Sequence, residues 1–427
     1  MSPTRHRRVS CRTRACPIFL GVRIVRLANF VMPRSGGLRT ALHALGEGYR
    51  EAGHEAVLVI PGDHASDRST PSGRVITLRG TPVPGTGGYR VLLGRRRVAR
   101  LLDQLEPDRL EVSDRFTLRW TARWARERGV PAVMVSHESL SGLLAVAGLR
   151  GRPGRWLTDR LNARTARHFD RVVCTTAWAG EEFHRLGARN LVEVPLGVDL
   201  ARFHPSHRSP GLRARFAGPG QVLVVHCGRL SPEKRPGRSL DALAWLRGRG
   251  VDAVLVVAGD GPLRSRLARR AVGLPVHFAD FITDRAALAA LLASADVVLA
   301  PGPIETFGLA ALEAIACGTP VVVDAASALP EVVGAAGVAV SGEGSAFGAG
   351  VEEVLRRDEA DRRRAARARA ERFGWPAAVA GFLTAHDAVP VVRVLGARVA
   401  NEPDRRAPLS GGSRMTDDAL PSAEEAA

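Results

Sequence analysis

Short apolar runs alternate with helix-length amphipathic stretches, and the alternation starts over halfway along the chain. Val22-Arg23-Ile24-Val25-Arg26-Leu27 reads as a strand. A helix is predicted from Leu38 to Ala52, with Leu38, Ala41, Leu42, Leu45 and Tyr49 on one face, and Ala56–Ile60 is the next strand. A strand–helix–strand unit of this length needs a right-handed crossover, so its strands are parallel. Further strands are predicted at Leu110–Val112, Pro131–Val135, Arg171–Cys174 and Leu191–Val194. Turn residues in Pro195-Leu196-Gly197-Val198-Asp199 and Phe203-His204-Pro205 then break both periodicities and mark a linker. The rhythm resumes with strands at Val222–His226, Ala253–Ala258, Val276–Phe278, Asp296–Ala300 and Pro320–Val323. A single charged helix is predicted over Arg356–Arg372, and another after Phe373-Gly374-Trp375.

A chain of 427 residues exceeds what one core usually organises. The expected fold is α/β, with two Rossmann-like parallel-sheet domains and ligands at the carboxyl ends of their strands. The predicted division is 21–198 and 199–374. Residues 1–20, with Arg5, Arg7, Arg8, Arg12 and Arg14 and no acid, read as a disordered basic arm; 400–427 read as a disordered tail. No apolar stretch is long enough for a bilayer span. Cys11, Cys16, Cys174, Cys227 and Cys317 follow no zinc spacing and read as reduced thiols of a cytoplasmic protein.

Lys234 is the only lysine among 61 Lys and Arg residues. Arginine's flat fork does not replace a compact ammonium. Lys234 lies in Gly228-Arg229-Leu230-Ser231-Pro232-Glu233-Lys234-Arg235, just after the apolar strand that opens the second half. A strand, a glycine-containing loop with two cations and then a helix suit a phosphate. Pro303-Ile304-Glu305-Thr306-Phe307-Gly308-Leu309 is the second informative segment, running through Glu313 to Cys317-Gly318-Thr319-Pro320. Glu305 precedes a helix and Glu313 lies more than a turn inside it. A carboxylate accepts hydroxyl bonds from a sugar or ribose diol. The helix-terminal amides of Phe307, Gly308 and Leu309 suit a diphosphate.

Glu305 to Glu313 resembles the E-x7-E element of retaining GT-B glycosyltransferases of family 4. The resemblance continues through Gly228-Arg229…Lys234, Ala258-Gly259-Asp260-Gly261-Pro262 and Pro195–Asp199, and covers about residues 22–385. It implies the GT-B arrangement, two such domains facing across a cleft, with a C-terminal helix at about 375–388 completing the first. It implies that Arg229 and Lys234 grip the donor diphosphate, that Glu305 binds the transferred hexose and that Glu313 binds the ribose. Gly36 and Gly37, after Ser35, resemble the glycine pair that brings amides near the diphosphate and acceptor. His137 resembles the active-site histidine near the donor sugar. No metal or other cofactor is implied, since fixed cations meet the leaving diphosphate.

Asn29-Phe30, Pro33–Ala41 and Glu111-Val112-Ser113-Asp114-Arg115 look like actinobacterial mannosyltransferases that use GDP-mannose and act on phosphatidylinositol mannosides. An anionic lipid acceptor is then expected, reached from the cytoplasmic face by peripheral membrane contact. Arg95–Arg97 and the stretch Arg152–Arg167 with Trp156 are the candidate docking residues. A UDP-sugar glucosyl- or N-acetylglucosaminyltransferase acting on a soluble acceptor is the alternative within the class. The net charge of +18 also fits a nucleic-acid-binding protein, but dispersed arginines, 5% aromatics and no binding motif argue against one. A dinucleotide oxidoreductase lacks its G-x-G-x-x-G after the first strand. The bland alternative for Asp114 and Arg115, adjacent in sequence, is a local ion pair.

Overall fold

A computed structural model describes residues 21–31, 36–84, 88–146 and 148–388. The expected arm at 1–20, Ser35 and the expected tail at 400–427 lie outside them.

The first half supplies β1 (Arg23–Leu27), β2 (Glu55–Gly62), β3 (Ser66–Thr70), β4 (Gly73–Arg79), β5 (Thr81–Pro82), β6 (Arg90–Val91), β7 (Arg109–Val112), β8 (Ala132–Ser136), β9 (Arg171–Cys174) and β10 (Leu191–Glu193). Its helices are α1 (Gly37–Glu51), α2 (Arg95–Leu105), α3 (Thr121–Glu127), α4 (Leu140–Val146), α5 (Gly151–His168) and α6 (Ala177–His184). An eight-stranded sheet runs β10-β9-β8-β7-β1-β2-β4-β3. All neighbours are parallel except β3 and β4. That hairpin was not expected. It turns at Pro71-Ser72 because Gly73, at φ +104°, runs against Ala56, where a Cβ would stand 2.1 Å from the carbonyl oxygen.

The second half contains α7 (Pro210–Ala214), β11 (Val222–Cys227), α8 (Gly237–Gly248), β12 (Ala253–Ala258), α9 (Arg264–Arg270), β13 (Val276–Asp280), α10 (Arg285–Ser294) and β14 (Val297–Ala300). It continues with α11 (Leu309–Ala316), β15 (Val321–Asp324), α12 (Leu329–Val333), β16 (Gly337–Val340), α13 (Gly344–Arg356) and α14 (Glu359–Ala370). Its six strands run β13-β12-β11-β14-β15-β16, all parallel. β12, Ala-Val-Leu-Val-Val-Ala, is buried at every position, as a parallel strand covered on both faces must be. The single helix expected over Arg356–Arg372 is two. Asp358 leaves the helical path and accepts the Asp361 amide at 3.0 Å, capping a new start. β16, Gly337-Val338-Ala339-Val340, was not foreseen.

The chain passes between the halves at two adjacent points. The Val198 amide donates to the Phe373 carbonyl at 2.8 Å, and Val198 forms a bridge with Gly374. The last helix, α15 (Trp375–Ala385), then packs against α1 of the first half. Gly48 permits this: a Cβ there would stand 2.2 Å from Val379 Cγ2. Polar ties add to it. His386 Nε2 lies 3.0 Å from Glu111 Oε2, and Arg109 donates to the His386 carbonyl at 2.6 Å. Tyr49 donates to the same Glu111 oxygen at 2.9 Å. Burial acts to raise the Glu111 pKa, but His386, Arg26 and Tyr49 outweigh it and hold the carboxyl low.

Candidate active site

The loop after β11 is braced from behind. A Cβ on Gly259 would stand 1.9 Å from the Gly228 carbonyl oxygen, and one on Gly261 would stand 2.6 Å from that of Leu230. The Leu230 amide donates to the Asp260 carbonyl at 2.9 Å. Ala258–Pro262 therefore serves as the rigid back of the Arg229–Lys234 loop. Asp260 itself only accepts the neighbouring Gly261 amide, at 2.7 Å.

Lys234 ends a short 3-10 turn, and its Nζ donates to Glu305 Oε1 at 2.5 Å. Both side chains remain partly exposed, at 33% and 21%. The strands ending in the two loops, β11 and β14, are neighbours, which is why residues 71 positions apart meet. The Ala328 amide anchors the Glu305 carbonyl at 2.9 Å. Phe307 is buried edge-on against Phe373, their centroids 6.0 Å apart. Gly308 is left-handed at φ +80°, and Leu329 Cδ2 stands where its Cβ would be. Only glycine fits that start to α11; the Ala311 amide already donates to the Gly308 carbonyl at 3.0 Å, while amides before it belong to the turn that lacks intrahelical acceptors.

The structure does not give the two glutamates a common partner. Glu313 is buried, and its carboxylate takes the guanidinium of Arg285, at the start of α10. Burial raises the Glu313 pKa, against the pull of Arg285. Arg285 also lies over the Phe203 ring at 4.9 Å.

Three groups of the first half reach this region. Gly37 opens α1 against the start of α11, and a Cβ on it would lie 3.3 Å from Leu309 Cδ1; Gly36 sits at φ +113° beside it. His137 follows β8, with Nε2 3.2 Å from Ser113 Oγ, and its carbonyl accepts from Thr306 Oγ1 at 2.7 Å. Burial pushes the His137 pKa down to about 4, with Glu111 opposing and Arg115 assisting, so the imidazole is neutral at neutral pH. Tyr89, on the β5–β6 hairpin, carries the Arg229 guanidinium 4.4 Å from its ring centroid.

Tyr89, Arg285 and Thr306 were not singled out in the sequence. Tyr89 had one weak signal, being one of two tyrosines. The alternative reading of Asp114–Arg115 as a local ion pair does not hold. Asp114 accepts from Asn29 Nδ2 at 2.8 Å, and Arg115 donates to Asn162 Oδ1 at 3.0 Å and to the Glu138 carbonyl at 2.5 Å. The two side chains thus brace different loops at the ends of β1, β7 and β8. Cys174, Cys227 and Cys317 are pushed up to about 12 by burial and remain protonated thiols.

The sequence matches the family described as glycosyl transferase 4-like domain over residues 36–197, and the one described as glycosyl transferases group 1 over 213–371. It is 52% identical, over 372 residues, to the GDP-mannose-dependent alpha-(1-6)-phosphatidylinositol dimannoside mannosyltransferase of Mycobacterium tuberculosis, spanning 87% of this chain and 97% of the relative. The chain is a group 1 glycosyltransferase. The GDP-mannose-dependent alpha-mannosyltransferase of Mycolicibacterium smegmatis is 30% identical over 70% of this glycosyltransferase and 79% of its own length. The GT-B fold is shared with sucrose-phosphate synthase from Thermosynechococcus elongatus, at a TM-score of 0.69 and 20% identity over 86% of this enzyme and 98% of that chain. Anabaena HepE in complex with UDP and glucose superposes at 0.66, also at 20% identity, over 85% and 98% of the two chains.

Proposed function

We propose that this glycosyltransferase moves mannose from GDP-mannose, with retention and without a metal, to a phosphatidylinositol mannoside-type acceptor at an anionic membrane face. The observation that carries the reading is the 52% identity, over 97% of its length, to a mannosyltransferase named for that donor and lipid acceptor. The site suits it. Arg229, Lys234 and the first amides of α11 supply positive charge where a departing diphosphate gains negative charge, and such groups stabilise the transition state most. Glu305 takes the hexose hydroxyls and Glu313 the ribose diol. The anomeric C1–O bond to the β-phosphate breaks as a new C1–O bond to the acceptor hydroxyl forms on the same face. The hydroxyl proton passes to the departing phosphate oxygen, leaving GDP. A neutral His137 bonds the sugar without adding charge on this reading.

The docking reading rests on the arginines of the first half, Arg95–Arg97 on α2 and Arg152, Arg155, Arg160, Arg164 and Arg167 on α5. Leu93, Phe116, Leu149 and Trp156 are exposed at 54%, 37%, 37% and 63%. Apolar tips among arginines suit an anionic lipid interface. Among the described residues no helix is long and apolar enough to cross a membrane.

The test is a nucleotide-sugar panel: GDP-mannose, UDP-glucose and UDP-N-acetylglucosamine, each scored by transfer to extracted phosphatidylinositol mannosides and by thermal protection of the protein. GDP-mannose alone should give a mannosylated lipid. Transfer from a UDP sugar, with none from GDP-mannose, would refute the reading.

A further inference from the structure

Thr306 stands between Glu305, assigned to the hexose, and Phe307, which roots the loop in the core. Its hydroxyl donates to the His137 carbonyl at 2.7 Å. Its own carbonyl accepts from Thr175 Oγ1 at 3.2 Å and from Thr176 Oγ1 at 3.0 Å. These partners follow β8 and β9 in the first half, whereas Thr306 belongs to the second. Thr175 and Thr176 are 1% and 2% exposed, so their bonds are largely shielded from water. Nearby, Glu331 reinforces the same contact by accepting the Ala177 amide at 2.9 Å and the Trp178 amide at 3.1 Å. Thr306 is therefore bonded to the first half through both its main chain and its side chain, one residue from Glu305.

We infer that Thr306 is a positioning residue. By bonding the His137 main chain and the β9 end at once, it fixes the separation between the histidine side of the cleft and the carboxylate that receives the sugar. The inference rests on the donor reading above and goes beyond it. On that reading Arg229, Lys234 and α11 grip the phosphates and Glu313 the ribose, whereas the Thr306 side chain and carbonyl bond to His137, Thr175 and Thr176. Its loss should therefore leave nucleotide binding alone and degrade the alignment of the hexose. A displacement near 1 Å at a reacting centre costs on the order of a hundredfold in rate.

Thr306→Val keeps the shape and removes the hydroxyl, whereas Thr306→Ser keeps the hydroxyl. Transfer from GDP-mannose should be measured for both, with GDP affinity by calorimetry and the thermal midpoint as a check on folding. In Thr306→Val, kcat should fall about tenfold to a hundredfold, with GDP affinity unchanged. Thr306→Ser should restore most of kcat, which a purely space-filling role would not require. Thr175→Val is the second variant. Thr175 makes no helix cap, whereas Thr176 accepts the Ala179 amide at 3.1 Å, so α6 is left alone. It should lower kcat in the same direction by a smaller factor. Wild-type kcat in Thr306→Val, or equal loss in the Ser and Val variants, would overturn the inference. A fall in GDP affinity that accounts for the lost rate would overturn it too, by moving Thr306 into nucleotide binding. Wild-type protein that neither binds GDP nor transfers mannose would overturn the donor reading beneath it.

Discussion

Lys234→Arg conserves charge and still should stop the reaction. The ammonium sits 2.5 Å from Glu305 Oε1, and Gly302 lies close to both residues: a Cβ on it would lie 3.4 Å from Lys234 Cα and 3.5 Å from Glu305 Cγ. A guanidinium is longer and planar, so its charge centre must shift outward. Moving a unit charge from ~3 to ~4.5 Å from a phosphate oxygen, at an effective dielectric near ~20, weakens the attraction by roughly 2 kcal/mol. Losing the orientation of one preorganised donor costs roughly 3 kcal/mol when the whole contact goes. The two describe the same interaction, so they bracket the effect at about 30- to 200-fold in kcat and are not summed. The assay is steady-state transfer from GDP-mannose, with kcat separated from KM and the thermal midpoint confirming an intact fold. A kcat within about threefold of wild type would refute the claim that a compact ammonium is needed there.

Glu305→Gln and Glu313→Gln should separate by calorimetry: the first lowers turnover with little change in GDP affinity, the second weakens GDP about tenfold or more. Equal effects on GDP would dissolve that division of roles. Activity should persist in excess EDTA, and a strict requirement restored by Mg²⁺ or Mn²⁺ would show the cations insufficient. Binding to anionic vesicles should be clear at low salt, fall steeply as salt rises, and drop when Arg152, Arg155 and Arg160 are replaced together; salt-insensitive binding would contradict the docking face. His226, buried on β11, is lowered from 6.5 to about 4 chiefly by burial and then by Lys234. A depressed folded pKa gives stability that is complete above pH 6.5 and lost as pH falls through 4. His226→Gln should therefore remove roughly 3 kcal/mol of the acid-induced loss between pH 7 and 4, read from denaturant midpoints, and an unchanged pH dependence would contradict the assignment.

What could be read in advance was what lies close together along the chain. β12 announced itself as an unbroken apolar run and α1 by apolar residues at helical spacing. Glu305, Gly308 and Glu313 stood out because a turn, a helix start and two carboxylates fall within nine residues. Pairings made by the sheets could not be read. Lys234 meets Glu305 only because β14 lies beside β11, and Arg285 reaches Glu313 only because α10 packs against α11. Tyr89 sits on a hairpin of two-residue strands, too brief to carry any pattern. Asp114 and Arg115 show the converse. Neighbours in sequence, they sit at the strand ends where several loops converge, and each finds a better partner in another loop.

The return of α15 to the first half imposes an order on synthesis. Val379, Phe382 and Leu383 share one apolar core with Ile24, Leu45 and Tyr49. These first-half residues therefore wait for ones synthesised after the whole second half. At ~5–20 residues per second, the β1 sheet spends tens of seconds with its α1 side uncovered. The second half needs no such late arrival and can close its own sheet first. A chain truncated before Trp375 should thus hold a folded C-terminal half beside an N-terminal half that still needs shielding, and a chaperone would find its substrate there.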